Sequence, residues 1–177
     1  MINYETDSSP FYKANKSYCE GIEEILIASN YAYSGFCNSY GYHIETNFKK
    51  NNLSCTLTYF KEQTTRGAED ILISDKSNYA GAALTMEGFH RIAKMEFGKN
   101  KLKRLFTSNE FNDMVPSPYY FSSNMSADKQ KNKEVVNMLM KSQVDSFKFN
   151  NGIVKLKIHS PSTDMFLLIE MITQLLI

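Results

Sequence analysis

The chain has 177 residues, of which 42% are hydrophobic, 22% charged and 13% aromatic, a globular composition that excludes disordered, collagen-like and disulfide-stapled architectures. Twenty lysines and arginines against nineteen acids leave a formal charge of +1, without the broad field of a dedicated nucleic-acid or polybasic membrane binder. No apolar run reaches the ~18 residues of a membrane span, and the expectation at this length is one domain, residues 1–177, burying roughly 70% of its unfolded surface.

Met1 to Pro10 has neither a basic start nor an apolar core, so it reads as no signal or transit peptide and points to the cytoplasm, or to a cytosolic part of a larger protein. Cys19, Cys37 and Cys55 are an odd set without zinc-ligand spacing, as expected of free thiols in a reducing compartment. Residues 1–37 form a helical segment. Ser9 and Pro10 open its helix, and Phe11, Tyr18, Ile22, Ile25, Leu26 and Ser29 follow at spacings of three and four. The helix should end between Ser29 and Tyr33, with Gly35 just beyond.

Residues 38–177 should hold the sheet, its inserted helices and a terminal helix. From Tyr40 to Gln63 the alternation fits a hairpin cornered by Asn51 and Asn52, pairing Phe48 with Cys55, Thr46 with Leu57 and Ile44 with Tyr59 on one apolar face. The reverse face carries His43, Glu45 and Phe60, a candidate polar sheet face, while Cys55 points inward as an inert thiol. After the polar break Thr64 to Gly67, Ile71–Ser74 and Ala82–Met86 read as short strands. Phe89 to Phe97 reads as a short helix stopped by Gly98, and Lys99, Lys101, Lys103 and Arg104 then cluster around Leu102, Leu105 and Phe106.

Thr107 and Glu110 have capping-box spacing, Pro116 and Pro118 keep the chain extended into Tyr119–Phe121, and Ser126 starts a helix burying Val135, Val136, Leu139, Met140 and Gln143. A second hairpin turns at Asn151-Gly152, pairing Phe149 with Val154 and Phe147 with Leu156. Its reverse face sets Lys148 against Lys155, with Lys157 and His159 following, a candidate site for an anion or an acidic partner. Ser160 and Pro161 open a last helix that is apolar nearly all round, so Leu167, Met171 and Leu175 are candidates for a homodimer surface.

The order of these elements, with Thr107-Ser108-Asn109-Glu110-Phe111-Asn112 before an extended run ending Tyr120-Phe121-Ser122-Ser123, resembles an uncharacterised bacterial domain family whose soluble domain often follows membrane segments. The likeness covers residues 38 to 177. Ser108 and Asn112 stand where the family's G-D/N-x-x-F-D-like signature has Gly and Asp, and the resemblance implies a fold but neither an activity nor a functional residue.

His43, His90 and His159 lie on different elements, and the chain has no P-loop, nucleophile elbow, dinucleotide fingerprint, metalloprotease helix or Cys-x-x-Cys. No catalytic residue, metal or cofactor is therefore assigned. Adjacent acids such as Glu23-Glu24 read as surface charge, and the near-neutral pI without an RNA-binding signature disfavours nucleic acid. The expectation is an α+β antiparallel twisted sheet, built from two hairpins and short strands under the first and last helices. It would act as a non-catalytic binding or protein-interaction module. The alternative is a small-molecule binder or enzyme with a pocket between sheet and helices, lined by Tyr59, Phe147 and methionines.

Overall fold

A computed structural model describes residues 1–5, 8–62, 79–90, 93–107, 111, 113–125, 128–159 and 164–176. Among them the fold is α+β. The strands are β1 (Ile2–Tyr4), β2 (Tyr33–Cys37), β3 (Gly41–Lys50), β4 (Leu53–Glu62), β5 (Tyr79–Glu87), β6 (Lys94–Lys99), β7 (Tyr119–Ser123), β8 (Val144–Asn150) and β9 (Ile153–Ile158). The helices are α1 (Pro10–Ala28), α2 (Lys101–Phe106), α3 (Lys129–Lys141) and α4 (Met165–Leu176). The nine strands form one mostly antiparallel sheet in the order β1-β2-β3-β4-β5-β9-β8-β6-β7, with β1 and β2 parallel. Contacts gather into two compact units, one of Met1–Phe48 with Thr56–Gly81, the other of Lys49–Cys55 with Ala82–Ile177.

In the first unit, the Ser9 side chain accepts from the Tyr12 amide at 3.1 Å and so caps α1, with Pro10 at its first position. The buried stripe is Tyr12, Asn15, Cys19, Ile22 and Leu26. This corrects the expected stripe, because Phe11 and Ile25 face solvent and Ser29 is an exposed cap. Polar anchors set the rotation. Asn15 donates to the Asn38 carbonyl at 2.9 Å and accepts from Lys61 at 2.7 Å, while Glu23 accepts from the phenols of Tyr4 and Tyr33 at 3.0 and 2.7 Å. Glu23 is therefore a structural acceptor and not the free surface charge expected. Gly35 caps nothing: it lies within β2 opposite Ile44, where an added Cβ would fall 2.2 Å from the His43 carbonyl oxygen.

Asn51 and Asn52 take φ of 49° and 65°, the left-handed pair that a two-residue hairpin turn requires. Burial alternates along β3, where Tyr42, Ile44, Thr46 and Phe48 are inside and His43 and Asn47 outside. On the outer side Thr56 donates to Asn47 at 2.7 Å. The proposed strand Ile71–Ser74, the break before it, Glu110, Ser126, Ser160 and Pro161 lie outside the described residues.

In the second unit, the helix expected over Phe89 to Phe97 gives way to a strand in its second half, from Lys94 onward. Lys94–Lys99 is a strand, with Met95 and Phe97 buried and Lys94 and Glu96 on the other side. Hydrogen bonding to β7 on one edge and β8 on the other overrides the weak helical spacing. A cross-strand row runs Phe121, Phe97, Phe147, Leu156 and Leu84 through β7, β6, β8, β9 and β5, and every member is buried.

The helix α3 is capped by Asp128, which accepts from the Lys131 amide at 3.1 Å. It buries Asn132, Val135, Val136, Met138 and Leu139; Met140 is half-buried, and Gln143, expected inside, is exposed at φ 53°. The helix α4 buries Met165, Leu168, Ile169, Ile172, Thr173 and Leu176. It is not buried all round, since Leu167, Glu170 and Gln174 are exposed, and Glu170 takes a salt bridge from Lys50 at 2.8 Å. No helix among the described residues is long and apolar enough to cross a membrane.

The turn between β8 and β9 gives a sharp test. Gly152 sits at φ 76°, and a Cβ there would lie 2.3 Å from the Phe89 carbonyl oxygen. Gly152→Ala is expected to cost about 2 kcal/mol or more, read as a lower urea midpoint at unchanged slope, whereas Asn151→Gly at φ 49° should be near neutral.

Candidate functional site

The second unit presents a polar sheet face, the reverse of the phenylalanine row. Its central row is Ser122, Glu96, Lys148, Lys155 and Thr85, one residue from each of β7, β6, β8, β9 and β5. Lys148 and Lys155 are directly opposed and exposed, as the alternation required, and Lys157 lies on the next row opposite Ser146. Like charges in this relation cost a few tenths of a kcal/mol. His159 does not join them. Its Nδ1 and its backbone N–H both meet Asp145, at 2.6 and 2.7 Å, and Asp145 also holds Lys99 at 2.9 Å. The β-bulge at Val144/Ser146, where Asp145 is the extra residue, lies in β8 opposite the end of β9, and Asp145 engages His159 there.

At the Glu96 end the row meets α2. Asn100 caps this helix by accepting from the Lys103 amide at 3.0 Å, and Thr107 closes it by donating to the Lys103 carbonyl at 2.9 Å. Arg104 turns back to the protein and donates to the carbonyls of Val115 and Tyr119 at 2.9 and 2.5 Å. Lys103 folds over the sheet to Glu96 at 2.5 Å, and the Tyr120 phenol donates to the same Glu96 oxygen at 2.9 Å. Beneath α2 is a cavity of about 400 Å³ lined by Glu96, Lys103, Phe106, Thr107, Phe111, Tyr120 and Ser122.

The electrostatics of this cavity are set by that triad. The Lys103 hydrogen bond holds the Glu96 carboxyl below its usual range, aided by the Tyr120 phenol and the charge of Lys148 and opposed by burial. In return Glu96 raises the Lys103 ammonium, and burial together with Glu96 raises the Tyr120 phenol. All three groups move away from neutral pH, so they hold fixed charge and donors there and exchange few protons.

The other sequence candidates lie elsewhere. His43 is exposed and stacks on Phe36, with ring centroids 6.2 Å apart, and Glu45 accepts from Asn47 at 3.1 Å. Phe60 is half-buried on the same strand face as Thr56 and Thr58. On α4, Leu167 is exposed while Met171 and Leu175 are half-buried. Tyr59 and Phe147 are buried, and neither lines the cavity. Sequence reading missed Glu96, Tyr120 and Ser122 because it had placed Glu96 in a helix. The usable signal was the alternation in Lys94-Met95-Glu96-Phe97, read as a strand with one buried face.

All three cysteines are buried and free. Burial pushes the Cys55 thiol up to about 11, and it raises Cys19 and Cys37 as well. Among the described residues no three His, Cys, Asp or Glu side chains converge to hold a metal ion. The chain matches no family model, no curated protein and no solved structure, so function has to be argued from this geometry.

Two measurements check the electrostatics. Glu96→Gln should lose about 1 kcal/mol or less at pH 7, the scale of a half-exposed pair. Because the folded carboxyl titrates below its unfolded value, that contribution exists above about pH 4.3 and disappears as pH falls through the folded value. The stabilities of the two proteins in urea should therefore converge as pH falls below the folded value of the carboxyl. Separately, a thiol-reactive chromogenic disulfide at pH 8 should modify none of the three cysteines in folded protein and all three in urea.

Proposed function

We propose that this chain is a non-catalytic binding module whose recognition surface is the polar sheet face of its second unit, and that its partner is anionic. The observation that carries this reading is the direct opposition of Lys148 and Lys155. Glu96 lies beside Lys148 on the other flank, but the remaining neighbour of Lys155 is the neutral Thr85. An anionic group set between the lysines relieves their repulsion, which gives affinity without any reaction. The fixed protonation of Glu96, Lys103 and Tyr120 supports binding over proton transfer.

In this reading the two asparagine-cornered hairpins are the building units of the sheet, each unit's helices cover its own apolar face, and the polar face is left for the partner. Three free, buried thiols suit a reducing compartment, and we place the module in the cytoplasm, alone or as part of a larger protein. A second reading rests on the cavity. With Phe106 and Phe111 beside Glu96, Tyr120 and Ser122, it has the apolar lining and few converging polar groups of a small-molecule site.

Retention on an immobilised polyanion, heparin at low salt, tests the anionic reading. Lys148→Glu with Lys155→Glu should elute at clearly lower salt than the parent, and the same charge change at Lys129 and Lys133 of α3 should have a much smaller effect. Equal elution of the two double variants refutes a special role for the sheet face.

A further inference from the structure

Viewed down its axis, α2 is an amphipathic helix turned inside out. Successive residues are ~100° apart, so Leu102, Leu105 and Phe106, at i, i+3 and i+4, share one face. That face points to solvent: the three residues are 69%, 76% and 89% exposed, and α2 buries no residue at all. Arg104 projects from the opposite side and is the member held by the protein, through the Val115 and Tyr119 carbonyls. Lys101 and Lys103 stand on the two flanks of the apolar stripe.

A helix of this kind ordinarily turns leucine and phenylalanine inward. Here two backbone acceptors bind the guanidinium, and the Lys103 to Glu96 pair holds the flank, so the apolar face is kept outward by specific polar contacts. Three large apolar side chains standing together in water mark a surface that is covered in use. Their occupant is identified by shape and charge. Leu102 and Leu105 line no cavity and Phe106 stands at the rim of the one beside α2, so the three project as ridges, which a fluid interface accommodates without a matching hollow. With Lys103 held by Glu96, the exposed Lys101 beside the stripe sits where a headgroup phosphate would lie, as in helices that rest in the plane of a membrane surface. The opposed Lys148 and Lys155 extend the same positive character along the adjoining sheet face.

We propose that α2 docks this protein onto an anionic lipid bilayer, with Leu102, Leu105 and Phe106 entering the headgroup boundary and Lys101 and the sheet lysines meeting the phosphates. This rests on the anionic-partner reading above and names the partner. A formal charge of +1 gives little long-range steering, so the attraction is local and the docking reversible. One short helix supplies too little apolar surface for a permanent anchor.

Co-sedimentation with vesicles of equal parts phosphatidylglycerol and phosphatidylcholine, against vesicles of phosphatidylcholine alone, tests it. The parent protein should bind the anionic vesicles at least tenfold better, and added salt should release it. Leu105→Asp with Phe106→Asp should lower binding tenfold or more at an unchanged urea midpoint, since neither side chain is packed inside. The milder Phe106→Ser and Lys101→Glu should each lower it several-fold. Binding that survives Leu105→Asp with Phe106→Asp overturns the docking role of α2. If the parent ignores anionic vesicles while its heparin retention still depends on Lys148 and Lys155, the bilayer proposal falls and an acidic protein surface is the partner. If both responses are absent, the anionic reading falls with it.

Discussion

The register of β7, β6, β8, β9 and β5 decides both faces of the second unit at once. Where Phe121, Phe97, Phe147, Leu156 and Leu84 line up, the adjacent row has to be Ser122, Glu96, Lys148, Lys155 and Thr85. A slip of one residue in β6, β8 or β9 would put charge among the phenylalanines, so burial of the first row enforces the second. The opposed lysines are thus a by-product of hydrophobic registration. Their mutual repulsion is small beside the several kcal/mol gained by burying aromatic side chains, and the fold tolerates it.

How much of this could be read beforehand follows from how local each determinant is. Asn51-Asn52 and Asn151-Gly152 announce themselves because tolerance of positive φ is a property of the residue, and all four take positive φ. The pairing of Lys148 with Lys155 followed from the second turn by counting. The strand β6 was invisible, because six residues carry too short an alternation to compete with Phe89, Ala93 and Phe97 at helical spacing. Its identity comes from two neighbouring strands distant in sequence. The same holds for α2, which an amphipathic reading would turn over, and for His159, which Asp145 engages from the neighbouring strand.

Within the candidate site, the basic cluster around Leu102, Leu105 and Phe106 was legible as composition, but its orientation was not. Orientation depends on Arg104 reaching carbonyls eleven and fifteen residues ahead, and on Glu96 receiving both Lys103 and Tyr120. Each link joins separate elements and leaves no periodic trace. Polar side chains here do what apolar periodicity does elsewhere: they choose which side of an element meets the protein.

The clocking of α1 shows the same logic in the first unit. With both phenols gathered on Glu23, rolling the helix by one residue's arc would tear away Tyr4 and Tyr33 together. Phe11, Ile25 and Ile27 are consequently stranded outside, although greasiness alone would draw them in. Glu23 and, two turns earlier, Asn15 therefore act as the index pins of that helix, and any chain sharing the stripe but lacking the pins has freedom to settle at another angle.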